Sequence, residues 1–317
     1  MVSTTDIDPT LIPDASAIHE VRRSATVIKD TPGYKVFRVV NVIIMLFVCA
    51  IVILPLLNIL ALAFSDTAAI RRGAVGLWPI GFNLTTFNSV MSESLFWREY
   101  ANTVLYTVGY TVIAMFLTST FAFAISRKDL RGKAFFTWVA LFTMFFSGGM
   151  IPQYILIRTL GWLNTPWAMI IPGTISVFNL LVMKTSFENF PTELIEAANV
   201  DGMTTYGVFF KIVVPLSKAI VATMILFYAV GMWNSWWGAF LYLTRKDLYP
   251  VTMYLRDLIA AAGTQGGAGS GDSDMQSQIN ANVKSVAMVL TVLPIICVYP
   301  FVQKYFVSGV MLGAVKA

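Results

Sequence analysis

Six long apolar runs alternate with polar segments along the chain: Val39 to Phe64, Thr103 to Ser126, Ala134 to Ile157, Leu160 to Met183, Ala219 to Thr244 and Ser285 to Val302. A helix rises ~1.5 Å per residue and bilayer hydrocarbon is ~30 Å thick, so about 20 apolar residues make one crossing. None of the runs alternates with the two-residue period of a barrel strand. Backbone inside lipid must satisfy its own hydrogen bonds, so the pattern predicts an all-α membrane protein with six transmembrane helices. Several runs contain helix breakers: Gly148, Gly149 and Pro152 in the third, Pro172 and Gly173 in the fourth, Pro294 and Pro300 in the sixth. Backbone freed at such points has to line a cavity or meet neighbouring protein.

Composition agrees. Of 317 residues, 57% are hydrophobic and 12% charged, and the mean hydropathy is +0.71. A soluble globular domain carries about 25% charged residues, so that class is excluded. With the N-terminus in the cytoplasm, 14 Lys and Arg face inside and 8 outside. The compact turn Arg127, Lys128, Arg131, Lys133 weighs most, because positive charge is retained on the cytoplasmic side. Six crossings then return the C-terminus to the cytoplasm. The pattern divides the chain into a cytoplasmic tail (1–38), a first transmembrane helix (39–64), a core with the other five (99–305) and a C-terminal cytoplasmic tail (306–317). Within the core lie a cytoplasmic loop (188–218) and an extracytoplasmic loop (245–283). In the N-terminal tail, Ile18, Val21, Ala25 and Ile28 recur at helical spacing beside Arg22, Arg23 and Lys29. That suits either a disordered tail or a short helix on the membrane surface.

The chemistry missing from the runs narrows the function. None of the six holds Asp, Glu, Lys, Arg or His in its interior. Ion-coupled carriers place ionisable groups near the midplane, so they are disfavoured. The single histidine, His19, lies in the tail, which removes Ser/His and Cys/His catalysis and a His-rich metal site from the membrane. Cys49 and Cys297 sit in apolar runs and read as small packing residues. There is no G-x-x-x-x-G-K-[ST], and the glycine-rich stretch from Gly263 to Asp274 follows no strand and has no Lys. No catalytic, cofactor or metal site is expected in this chain. If ATP drives it, another chain binds the ATP and its Mg²⁺.

Uncharged polar residues remain in the runs: Ser147 and Gln153 in the third, Asn179 in the fourth, and Trp233, Asn234, Ser235, Trp236 and Trp237 in the fifth. Aromatic faces stack on sugar C–H surfaces and amides hydrogen-bond hydroxyls, so Gln153, Asn179, Trp233, Asn234, Trp236 and Trp237 are substrate-pathway candidates for a neutral polyhydroxyl ligand. Trp at a headgroup belt and Asn bonding helix to helix are the plainer alternatives.

The cytoplasmic loop is the most specific segment. It reads Pro191-Thr-Glu-Leu-Ile-Glu-Ala-Ala-Asn-Val-Asp-Gly-Met-Thr-Thr-Tyr-Gly-Val-Phe-Phe-Lys-Ile-Val-Val-Pro215. Pro191 suits a helix start, and Glu193 and Glu196 complement the dipole of the first turns. Ala197 and Ala198 keep one side thin. Asp201-Gly202 supplies a turn before a second short helix, which Pro215 ends. Leu194, Ile195, Phe209, Phe210 and Ile212 offer apolar surface for docking. Four acids against two lysines between Glu188 and Lys218 would be repelled by an anionic leaflet, so a protein partner is expected.

Glu196, Ala197, Ala198, Asp201, Gly202, Ile212 and Pro215 match in register the EAA loop of permease subunits of ABC-type importers, which this segment resembles. Ala219 stands where many members have another Pro. Phe146 to Gln153, Gly161 to Thr165 and the ending Gln303 to Ala317 are similar to carbohydrate permeases of the maltose-type and lipoprotein-associated polysaccharide branch. The resemblance implies a type I ABC importer permease fold with both termini cytoplasmic, in a bacterial plasma membrane. It implies a second homologous permease, two ATP-binding cassette ATPase subunits gripping the loops, an extracytoplasmic solute-binding protein and a carbohydrate substrate. Glu193, Glu196, Ala197, Ala198, Asp201, Gly202, Phe209, Ile212 and Pro215 are the implied coupling residues. The long last outside loop, Arg245 to Asp274, is expected to touch the binding protein. The competing expectation is a passive channel or membrane scaffold whose loop docks a non-ATPase partner.

Overall fold

The computed structural model of the protein describes residues 31–264, 282–300 and 303. The tail pattern from Ile18 to Lys29, most of the glycine-rich stretch and almost all of the C-terminal ending lie outside the described residues. The chain forms two units, residues 1–56 and 57–317. The second contains every predicted site residue. In the first, the described residues belong to a single helix, α1 (Pro32–Phe64), which runs on into the second.

The second unit continues through α2 (Thr67–Arg71), α3 (Thr85–Ser92), α4 (Ser94–Ser126), α5 (Lys133–Phe145), α6 (Met150–Thr159), α7 (Trp167–Ile170) and α8 (Val177–Glu188). Then come α9 (Thr192–Val200), α10 (Thr205–Val208), a π-helical turn (Phe209–Val213), α11 (Val214–Leu216), α12 (Lys218–Trp233), α13 (Trp237–Tyr242), a 3-10 turn (Lys246–Leu248) and α14 (Val251–Thr264). The last described helix is α15 (Asn282–Pro300).

Three of these helices, α1, α4 and α15, are long and apolar enough to cross a membrane unaided. The third run is not one helix. It divides into α5 and α6, which meet at 111°. Gly149, at φ +86°, takes the turn that a side chain would strain. The fourth run is likewise broken: α7 ends before Pro172-Gly173, Gly173 sits at φ +76°, and Ser176 caps α8 by accepting from Asn179 N at 3.4 Å. The fifth run stops at Trp233 and resumes at Trp237. Hydropathy sets the apolar length of a segment, whereas these breaks follow backbone chemistry that hydropathy averages away.

The second run corrects in the opposite sense. Its helix begins at Ser94 rather than Thr103, and so includes Arg98 and Glu99. Phe96, Glu99, Thr103 and Tyr106 recur at helical spacing and are all almost fully buried. The ionisable-free helix expected from the run therefore carries a buried carboxyl near its head, and among the described residues Glu99 Oε2 has no hydrogen-bond partner.

α4 is the central post of the second unit, packing along both α12 and α8. One core gathers Ala122, Phe123, Leu180, Met183 and Met224 where the C-terminal end of α4 meets α8 and the first half of α12. A second surrounds Tyr106, Met169, Met232 and Met253.

Candidate functional site

The loop after α8 is anchored before it begins. Glu188 accepts from Lys133 Nζ at 2.6 Å and from Lys184 Nζ at 3.0 Å, tying the end of α8 to the start of α5. Partial burial pushes the Glu188 carboxyl up, but the two lysine hydrogen bonds outweigh it and hold the pKa below the usual range.

α9 then ends in a Schellman arrangement. Met203 N donates to Ala198 O at 2.9 Å and Gly202 N to Asn199 O at 3.0 Å, with Gly202 at φ +74°. Thr204 caps α10 by accepting from Gly207 N at 3.2 Å. Gly207 leaves room for the Met203 side chain of the turn, since an added Cβ would lie 2.8 Å from Met203 Cγ. Pro215 directly follows the π-helical turn Phe209–Val213, near the end of this arm, which stops at Leu216.

This hairpin is two-faced. Ile195, Ala198, Val208, Phe209 and Val213 are buried in the core formed with α4 and α8, with the Phe209 ring 5.0 Å from that of Phe123. Ile212 packs against the same core. Burying an aliphatic or aromatic side chain of this size is worth ~1.5–3 kcal/mol, so the hairpin is firmly seated. Ile195, Phe209 and Ala198 therefore face the chain's own interior, correcting their expected place on a docking surface. Ile195 and Ala198 lie three apart on α9, and Val208, Phe209 and Val213 turn inward from the second arm. The outward face carries Glu193, Leu194, Glu196, Ala197, Asp201, Gly202 and Phe210. Val200 and Tyr206, 87% and 78% exposed, are its largest apolar projections apart from Phe210 and were not singled out from sequence. Two apolar side chains at the tip of a polar loop are the signal that finds them.

A second site opens where the broken helices meet. The bend between α5 and α6, the break before α8, and α12 with α13 line an open-sided cavity of about 910 Å³. Three of the pathway candidates, Gln153, Asn179 and Trp237, line it together with Ser147, Ser176 and Ser235. Tyr110 and Tyr228 form a wall that sequence reasoning missed, their rings edge-on at 5.9 Å. Tyr110 OH donates to Gly173 O at 2.7 Å. Tyr228 OH accepts from Ser176 N at 3.2 Å and shares a 2.6 Å hydrogen bond with Thr118 Oγ1. Each tyrosine thus braces the broken start of α8 from a different long helix.

The other predicted pathway residues lie elsewhere. Trp233 is buried, donates Nε1–H to Thr291 O at 3.1 Å and meets Tyr100 edge-on at 5.7 Å. It borders a separate, apolar cavity with Pro294 and Tyr299. Asn234 turns Nδ2 back onto Val230 O of its own helix at 3.0 Å. Trp236 lies under the Arg256 guanidinium, 5.3 Å from its carbon, beside Phe240. Adjacent residues on a helix diverge by about 100°, so a cluster in sequence is scattered over several faces.

Residues 100–311, which hold both the hairpin and the cavity, match the family model described as the binding-protein-dependent transport system inner membrane component. The chain belongs to that family. Among its relatives, the protein LplC of Bacillus subtilis is 37% identical over 90% of this chain and 97% of the relative. The polygalacturonan/rhamnogalacturonan transport system permease protein YtcP of the same organism is 37% identical over 86% of this chain and 95% of the relative. A solved bacterial ABC transporter involved in the import of the acidic polysaccharide alginate has a chain with TM-score 0.79 and 29% identity. The match covers 87% of this chain and 98% of that one. The all-helical type I permease architecture is shared with that neighbour. As an inner-membrane component of this family, the chain is a transport subunit, and the ATPase of such a system is a separate subunit.

Proposed function

We propose that this chain forms half of the translocation pathway of an ATP-driven carbohydrate importer and takes its driving force through the hairpin between α8 and α12. The observation that carries this is the hairpin's division into a seated inner face and an exposed outer one. Ile195, Ala198, Phe209 and Ile212 lock it to α4 and α8, while Glu193, Glu196, Ala197 and Asp201 face outward with Gly202 shaping the turn and Pro215 closing the unit. A surface held so firmly to the transmembrane core transmits force rather than absorbing it.

In this reading the broken elements complete six crossings with both termini in the cytoplasm, in accord with the Lys and Arg distribution. A second homologous permease completes the pathway, and two ATPase subunits hold ATP and Mg²⁺ and grip one hairpin each. A solute-binding protein delivers the ligand from outside, against the loop that begins at Arg245. The relatives' names support a carbohydrate cargo, and the cavity with Gln153, Asn179 and Trp237 has the amides and aromatic face that bind one. Its volume lies within the ~300–1,000 Å³ usual for small-molecule sites.

The test is uptake into vesicles holding the complete transporter, with Glu196→Lys and Gly202→Asp in this chain. Ligand delivery by the binding protein is expected to persist while uptake and coupled ATP hydrolysis fall together. Unchanged uptake in both variants, or uptake that proceeds without ATP, overturns the reading.

A further inference from the structure

We infer that this half of the pathway is built for uncharged saccharides and rejects uronates, an inference that rests on the carbohydrate reading above. Relatedness alone does not decide this, since polygalacturonan and alginate, the polymers named for two similar transporters, are acidic. The wall that this chain contributes to the cavity points to neutral cargo. Its polar groups are the hydroxyls of Ser147, Ser176, Ser235 and the tyrosines, and the amides of Gln153 and Asn179. Among the described residues, none that lines it carries a charge.

The nearby cations are held off the wall. Arg158 lies on α6 just beyond the lining residue Leu156, is exposed, and does not border the cavity. Arg256 has its guanidinium carbon 4.1 Å from the Phe240 ring centroid, 5.3 Å from that of Trp236, and pairs with Asp257 at 3.8 Å. A carboxylate taken out of water without a cationic partner is strongly penalised. A hydroxymethyl group at the same ring position needs one or two neutral hydrogen bonds, which the serines and amides supply. Two tyrosine faces and Trp237 provide a stacking surface for the sugar ring itself.

The experiment uses the complete transporter with its binding protein in vesicles. The probes are matched oligosaccharides that differ at C6 only: galacto- against galacturono-, manno- against mannurono-, and oligogalacturonate against its full methyl ester. ATP-dependent uptake is expected for neutral members and not for their free-acid counterparts. In Gln153→Arg, and independently in Ser147→Lys, uronate uptake is expected to rise at least about tenfold, the effect of ~1.4 kcal/mol of new ion pairing. Wild-type uptake of a uronate at a rate matching its neutral partner overturns the inference while leaving the carbohydrate reading intact. So does a pair of membrane-inserted variants that gain no uronate uptake, whatever their uptake of neutral sugar. Failure of every saccharide in both arms removes the carbohydrate reading, and this inference with it.

Discussion

The hairpin and the cavity are built on opposite principles. The hairpin draws its caps, turn and outward face from about 25 consecutive residues, and each local choice agrees with its neighbours. The cavity draws its wall from α4, the α5–α6 bend, the break before α8, α12 and α13, and residues as far apart as Tyr110 and Tyr242 share it. A surface that engages a partner is economically written as a contiguous motif. A chamber is written as interruptions in helices, and its lining depends on which broken ends pack together.

The contrast is broken most forcefully at Phe209. Phe209→Ala leaves a void beside Phe123 and is expected to cost ~3–5 kcal/mol, read as a lower unfolding midpoint of the detergent-solubilised complex and as lost transport. An unchanged midpoint would show that the hairpin is not seated as described. Val200→Asp and Tyr206→Asp probe the opposite face. Because both residues are exposed, the midpoint should stay within ~0.5 kcal/mol of wild type, while coupled ATP hydrolysis falls about tenfold, as expected on losing a well-packed interface contact. Loss of stability instead would place these side chains in the core.

Trp233→Phe tests whether the aromatic cluster of α12 belongs to the cavity. It removes the hydrogen bond to Thr291 O and is expected to cost about 1 kcal/mol, with saccharide selection unchanged in competition uptake. A changed selectivity would return Trp233 to the pathway. The smallest effect is at Glu188. Its carboxyl is partly exposed, so Glu188→Gln should cost less than ~1 kcal/mol at neutral pH. Because folding lowers its pKa from 4.5, the carboxylate's stabilisation is present above the unfolded pKa and fades as pH falls through the folded one. A melting series from pH 7 to pH 3 should therefore show the wild-type advantage over Glu188→Gln disappearing at the acid end. A constant difference would exclude the two-lysine clamp.

Sequence legibility follows the same division. Asp201-Gly202 announced the turn after α9, and Gly148-Gly149 and Pro172-Gly173 marked the places where helices break. These are local backbone effects, independent of what lies across the fold. The inward turn of Phe209 and Ile195 was not legible, because an apolar residue in a loop looks the same whether it meets its own chain or a partner. Trp233 and Asn234 were read as ligand contacts from their chemistry, yet the chain occupies one with Thr291 and the other with its own helix. Tyr110 and Tyr228 were overlooked because nothing in the α4 and α12 runs distinguishes a cavity tyrosine from a core one. Glu99 escaped notice because α4 extends beyond its most apolar stretch, on a face defined by contacts with α14 and α15.

The unit from Thr205 to Leu216 joins α12 at 85°, and α12 is the same helix that carries Phe227, Tyr228 and Gly231 to the chamber. An arm set nearly square to a shaft is a crank. A sideways displacement of the arm becomes torque about the shaft, and every side chain along the shaft swings through the same angle. In the proposed coupling reading, the corner at Ser217 makes the helix a drive axle, through which a push on the hairpin turns the side chains that α12 brings to the chamber.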